Sequence, residues 1–265
     1  MAPLEQRAPN DRSQAPAVSV IVPFFDSAAH FADCLNALGR QEPVPGGHEV
    51  ILVDNGGQDG SRAIAEELGR EHGFTVVEER APGAYAARNR GLEQARGELV
   101  AFTDADCRPD PDWLAQAVAS MQDAAVGIAV GRCDYPESAS PALRLLGRYE
   151  NAKTRHVLAH RPTGYHFAYA NNMVVRAQVF EQLGPFVSWR RAGDSELVHR
   201  MAARRPDLRT VYRDAQRVVH LEFLRARDRL RRLRLYTSTN ARIDGFRELP
   251  AAVRVAILLR ALLGR

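Results

Sequence analysis

Lysine is nearly absent: Lys153 is the only one, and arginine supplies the other basic side chains of a chain with net charge +4. No function follows from that habit, but other scarcities exclude something. There are three cysteines, Cys34, Cys107 and Cys133. Their number is odd, their spacing wide, and no Cys-x-x-Cys occurs, so neither a disulfide framework nor a zinc site is indicated and a reducing cytoplasm is expected. No apolar run is long enough to span a bilayer. The opening stretch, residues 1–16, is polar and proline-bearing; it lacks the apolar centre of a signal peptide and is expected to be a disordered leader. Internal repeats and low-complexity tracts are also missing.

What is present is a 265-residue chain, 45% hydrophobic and 26% charged. That is enough for one large α/β domain, or a domain with a small appendage. Charge is unevenly placed. Residues 221–265 hold eleven arginines against four acids, so the preceding part carries a net −3. The organisation expected is a catalytic body over 17–220 and a basic amphipathic helical tail over 221–265.

Short β-branched runs alternate with helical stretches of about a dozen residues. Val18 to Pro23, Glu49 to Val53, Phe74 to Glu78, the Glu98 stretch and Ala125 to Val130 read as strands. The helices between begin after Asp26 or Ser27, at Ser61, at Ala84 and after Pro111. Right-handed β-α-β units and a parallel sheet follow. The second half is less regular. It reads as a helix from Ser140 to about Leu158, a strand from Phe167 to Val175, helices from Ala177 and from Asp194 or Ser195, and a short strand from Arg217 to His220.

The stretch Glu98-Leu99-Val100-Ala101-Phe102-Thr103-Asp104-Ala105-Asp106 stops abruptly at two carboxylates one residue apart. Alternation along an extended chain lets Asp104 and Asp106 point the same way. Two hard oxygen ligands past the carboxyl end of a central strand suit Mg²⁺ or Mn²⁺, and open α/β sheets bind ligands there. Companion motifs stand around it: Pro23-Phe24-Phe25-Asp26, Asp54-Asn55-Gly56-Gly57-Gln58-Asp59-Gly60-Ser61, Ala87-Arg88-Asn89-Arg90-Gly91, Asn171-Asn172-Met173, Leu183-Gly184-Pro185-Phe186 and Gly193-Asp194-Ser195-Glu196-Leu197.

That ordered set resembles the family 2 glycosyltransferases over about Val18 to His220. The resemblance implies a GT-A fold: a Rossmann-like, mostly parallel sheet flanked by helices, here with a C-terminal helical appendage. It implies an inverting, hexosyltransferase-like enzyme that moves sugar from a nucleotide-diphosphate-sugar donor to an acceptor hydroxyl. Carried over residue by residue, Pro23, Phe25 and Asp26 line the base and ribose site, Asn55 sits where an acid often meets the base, and Arg88 and Asp104 lie near the donor. Asparagine offers a donor as well as an acceptor, which weakens the case for uridine as the base and leaves thymidine or guanosine open. Asp106 and His220 would hold the Mg²⁺ or Mn²⁺. Asp194 matches the general base, with Glu196 as fallback; the acid usual just before that Asp is Gly193 here. Trp189, Asn172 and Glu196 are the acceptor contacts, whereas Trp113 reads as core.

Two other function classes are weighed. A sugar nucleotidyltransferase of related fold needs a Gly-rich phosphate loop after the first strand, where this chain has Phe24-Phe25-Asp26-Ser27. A non-catalytic basic module for nucleic acid fits poorly, because the arginine tail lacks interleaved aromatics apart from Tyr236 and Phe246 and the body is acidic; no nucleic-acid partner is expected. The tail mixes leucine with arginine, which fits either a helix on an anionic bilayer or leucines packed on the body. The acceptor is thus a glycan, a lipid-linked molecule or a small molecule, and the enzyme is expected in the cytoplasm, with peripheral contact at the inner membrane face on the first reading.

Overall fold

The computed structural model describes residues 15–160, 168–222 and 250–262. Eight strands form one sheet in the order β3-β2-β1-β4-β7-β6-β8-β5. β1 (Val18–Phe24), β2 (His48–Asp54), β3 (Thr75–Glu78) and β4 (Leu99–Thr103) are parallel, as the alternating pattern predicts. Helices α1 (Ala28–Gly39), α2 (Ser61–His72) and α3 (Ala84–Gln94) connect them. β2 and β4 flank β1, so strand order reverses beside β1 and opens a crevice at the carboxyl ends of β1 and β4.

Alternation along β1 sorts the core into two layers. Val18, Val20, Val22 and Phe24 pack with Phe31, Leu35 and Leu38 of α1 and with Trp113 and Leu114 of α4 (Trp113–Ser120). Ile21 faces the other side, toward Ala87 of α3, Phe180 of α6 (Ala177–Leu183) and Leu197 of α7 (Gly193–Arg204). α3 comes very close to β1: a Cβ on Gly91 would lie 2.5 Å from the Ile21 side chain.

The far half of the sheet is mixed. β7 (Asn172–Arg176) runs antiparallel between β4 and β6 (Val126–Asp134), β8 (Arg209–His220) runs parallel to β6, and the three-residue β5 (Cys107–Pro109) pairs antiparallel with β8. β5 brings the chain leaving Asp106 directly against His220, the register partner of Cys107. β8 is much longer than the expected Arg217–His220. Its register on β6 jumps from Arg213 to Arg217, so an irregularity splits it where Arg213, Asp214 and Ala215 face solvent. Period-2 alternation is lost there, which hides the first half of the strand. β7 begins at Asn172, later than the expected Phe167; residues 161–167 lie outside the described set.

α5 (Pro141–His160) covers β6 and β8 and carries the final helix α8 (Ala251–Leu262). Val157 of α5 packs with Ile257 and Val253 of α8, flanked by Tyr149 and Ala152. Most of the expected basic tail, residues 223–249, lies outside the described set, as does most of the expected leader, residues 1–14.

Candidate active site

Two loops at the carboxyl ends of β1 and β2 are stitched into one rim. Asp26, at φ 46°, accepts from the Gln58 N–H through Oδ1 at 2.8 Å. Gly57 passes so close that a Cβ there would lie 2.5 Å from the Asp26 nitrogen. The first N–H of α1 is satisfied from outside: Ala28 donates to Asp59 Oδ2 at 2.7 Å, whereas neither the Asp26 nor the Ser27 side chain, the expected caps, bonds the helix end. Ser27 N–H donates to Ser61 Oγ at 2.8 Å. The rim leaves Phe25 58% exposed beside buried Pro23, an apolar face open to a planar ligand.

Asn55 is turned away from the rim's open side by its own bonding. Its Nδ2 donates to the carbonyls of Glu79 (2.9 Å) and Ala81 (2.8 Å), and its Oδ1 accepts from Gly83 N–H (2.8 Å). It latches the end of β2 to the turn that starts α3, where Gly83 has φ 125°. α3 then presents Tyr85 and Arg88 on one face, three residues apart. Arg88 is buried; its Nη2 donates to Asp104 Oδ1 at 2.5 Å, and its guanidinium lies 5.2 Å from the Tyr85 ring centroid. Asn89 holds Phe186 by a two-way backbone clamp, donating to its carbonyl (2.9 Å) and accepting its N–H (3.0 Å). Two sequence motifs, Ala87-Arg88-Asn89 and Gly184-Pro185-Phe186, therefore meet.

Past Asp104, the Asp106 carboxylate stands 3.6 Å from His220 Nε2, beyond ordinary hydrogen-bond length. Asp106, Cys107 and His220 each offer a ligand atom within 4.8 Å of the others. Burial pushes the Asp106 carboxyl upward; Asp104 adds to the rise and His220 opposes it. His220 Nδ1 is buried without a hydrogen-bond partner. A carboxylate that burial disfavours, facing the His220 Nε2 at a separation too long for a hydrogen bond, is a pair a divalent cation could bridge. Cys107 is fully buried, and burial raises its thiol well above the ordinary value.

Asp194 sits in the first turn of α7, 8% exposed. Its Oδ2 accepts from Ala170 N–H (3.0 Å) and its Oδ1 from Ser195 N–H (2.8 Å), and the nearby Tyr85 hydroxyl favours its charged form. Burial nevertheless drives its carboxyl above the usual range, against the pull of those donors and of Arg88. Glu196 is bound to Arg200 at 3.0 Å, and Arg200 in turn reaches the carbonyls of Leu183 and Pro185. Trp189 is half-buried in the loop before α7, with Arg190 exposed beside it.

Asn172, expected at an acceptor, is instead a core polar hub. It is 1% exposed; Nδ2 donates to the carbonyls of Arg132 (2.8 Å) and Gln216 (2.9 Å), while Oδ1 accepts from Trp113 Nε1 and Gln216 Nε2, both at 2.9 Å. Every bonding atom of its amide is used, so it joins β7, β6, β8 and α4 and has nothing left for a ligand. Gly131 makes room for it: a Cβ there would lie 2.4 Å from Asn172 Nδ2. Trp113 is core, as read from sequence. Sequence reasoning assigned no role to Tyr85 or Gln216. Tyr85 lies three residues before Arg88, the one spacing that pointed to it; Gln216 falls at the irregularity in β8, where no pattern marks it.

A Rossmann-like half-sheet extended by an antiparallel strand, with paired aspartates past β4, has the GT-A glycosyltransferase fold. A mannosyltransferase from Pyrobaculum calidifontis, solved in complex with GDP-Man and Mn²⁺, superposes with a TM-score of 0.69 at 24% identity, covering 96% of this chain and 71% of that one. Glucosyl-3-phosphoglycerate synthase from Mycobacterium tuberculosis, solved with Mn²⁺, UDP-glucose and phosphoglyceric acid, gives 0.63 at 16% identity over 89% of this chain and 83% of that one. The family model described as "Glycosyl transferase family 2" matches residues 19–184, and the chain belongs to that family. Glycosyltransferase AglE of Haloferax volcanii is 34% identical over 178 residues, 66% of this chain and 57% of the relative. The chain thus spans little more than half the length of that relative.

Proposed function

We propose that this protein is a metal-dependent, inverting glycosyltransferase that uses a nucleoside-diphosphate sugar. The observation that supports this most is the run Asp104–Arg88–Tyr85–Asp194, which joins the carboxylates past β4 to a buried carboxylate at the start of α7. In this reading the exposed Phe25 ring, Pro23 and Asp26 receive the base and ribose, and Asn55 serves them indirectly by fixing the turn before α3. Asp104 takes the ribose edge. Asp106 and His220 hold Mg²⁺ or Mn²⁺, which when bound supplies charge neutralisation and Lewis-acid polarisation at the departing diphosphate. Arg88 adds a fixed positive charge beside Asp104.

Asp194 takes the proton of the acceptor hydroxyl as that oxygen attacks the anomeric carbon from the face opposite the leaving diphosphate. A carboxyl raised above its ordinary value is better matched to that proton than a solvated aspartate. Trp189 stacks on the acceptor. Glu196, engaged with Arg200, braces the Leu183–Pro185 turn. The enzyme works in the cytoplasm on a lipid-linked or surface-bound acceptor, held there by α8. That helix packs Ile257 on α5 yet leaves Val255, Leu258, Leu259 and Leu262 exposed. No described helix is long and apolar enough to cross a membrane.

The test is a panel of UDP-, GDP- and dTDP-sugars with Mn²⁺, read as nucleoside diphosphate release, with product configuration by NMR. The expected result is release from one donor class and a product of inverted configuration. Retained configuration, or no release from any donor, would overturn the reading.

A further inference from the structure

Tyr85 lies between Asp194 and Arg88, and its surroundings keep it there. Its ring lies against Gly193, where an added Cβ would stand 3.0 Å from the ring carbons. Any larger side chain at 193 would push the ring away. Phe186 closes the other side, centroid to centroid at 5.5 Å, and Asn89 fixes Phe186 by its backbone. Only 6% of Tyr85 is exposed. Its hydroxyl faces Asp194, near enough for the phenol and the carboxyl to act on each other's protonation. With its ring walled by Gly193 and Phe186 and Arg88 above it, the phenol is held toward Asp194.

We propose that Tyr85 is the positioning residue of Asp194: its hydroxyl orients that carboxylate, and its ring, under Arg88, ties it to the Asp104 side of the crevice. The inference rests on the role given above to Asp194 but makes a separate claim, about what holds and tunes that carboxylate. Among the described residues, the charged and titratable groups facing Asp194 are Tyr85 and Arg88 from α3; the stretch before β7 contributes the Ala170 N–H, and α7 itself the Ser195 N–H. The bond from a hydroxyl favours the carboxylate form. Removing it therefore raises the Asp194 carboxyl further.

Tyr85→Phe keeps the ring and removes only the hydroxyl. Two measurements follow. The first is stability against pH by thermal melting, for the wild type and Tyr85→Phe, each with and without Asp194→Asn. The stability gap between the wild type and Tyr85→Phe should widen as pH rises from the range where Asp194 is protonated into the range where it is charged, and should stay flat with pH when Asp194→Asn is present. The second is turnover: kcat should fall about ten- to hundredfold, the worth of a hydrogen bond to a charged group, with the acidic limb of its pH profile moved to higher pH and donor KM unchanged. A pH-independent gap in both backgrounds overturns the proposal. If the gap behaves as expected while Asp194→Asn retains full turnover, the positioning claim stands and the general-base role falls.

Discussion

Replacing Asp194 by Asn separates the chemical and structural demands on that side chain. The substitution preserves size and removes the charge. As a base it removes everything: about 10²–10⁴-fold in turnover, equivalent to about 3–5 kcal/mol of barrier. Structurally, two opposed changes occur. The carboxylate oxygens accept separately from Ala170 and Ser195 N–H groups, and an amide has one acceptor oxygen, so its NH₂ must face one of those donors. A buried donor left unmet costs about 1–3 kcal/mol. Against that, the desolvated charge disappears. Burial raises the Asp194 carboxyl in the folded state, so its contribution to stability is fully present below the ordinary carboxylate value and is lost as pH rises through the raised folded value. The wild type should therefore lose stability relative to Asp194→Asn as pH rises over that window, and Asn at 194 should be tolerated best at neutral pH. Chemical denaturation of both proteins at several pH values, with kcat measured in parallel, is the assay. A wild type that gains on the variant with rising pH, or a variant with undiminished kcat, would refute the reasoning.

Other substitutions probe the neighbouring claims. Asn172→Ala should unfold the protein at lower denaturant by about 3 kcal/mol or more, because Trp113 Nε1, Gln216 Nε2 and two carbonyls lose their partner; a stable variant with raised acceptor KM would restore it as an acceptor contact. Asn55→Ala should weaken both donor binding and turnover through the freed Gly83 turn; a variant altered only in its preference among nucleotide bases would instead place Asn55 at the base. On α8, Leu259→Glu with Leu262→Glu, at 54% and 52% exposure, should leave melting unchanged and abolish salt-sensitive binding to anionic vesicles. Buried Ile257→Ala should cost about 2–5 kcal/mol. Wild-type protein that ignores the vesicles would remove the membrane contact.

The parallel half of the sheet was legible because β1, β2 and β4 are apolar runs that meet Pro23, Asp54 and Asp104 at their ends, and α1 carries an apolar stripe of Phe31, Leu35 and Leu38. Asp104, Asp106 and His220 were legible because strand ends announce themselves as apolar runs that stop at polar residues. What stayed hidden was whatever depends on long-range pairing. β5 is three residues long and exists by pairing with β8, and β8 is interrupted where its register jumps. Asn172 and Asn55 look like ligand contacts in sequence because asparagine beside a strand end suits either role. Only the partners decide, and here backbone carbonyls and N–H groups more than 20 residues away take up both amides. Tyr85 was hidden for the same reason: its meaning lies in Gly193, over a hundred positions later.

The central claim is that Asp106, with His220, holds a divalent cation on which the nucleoside diphosphate depends. Isothermal titration of UDP, GDP and dTDP into the wild type and Asp106→Asn, each with Mn²⁺ and with excess chelator, tests it most directly. The account predicts that one diphosphate binds the wild type with Mn²⁺, that chelator abolishes the binding, and that Asp106→Asn, folded by its melting curve, does not bind in either condition. Equal affinity in Asp106→Asn, or binding to the wild type that chelator leaves untouched, would contradict it.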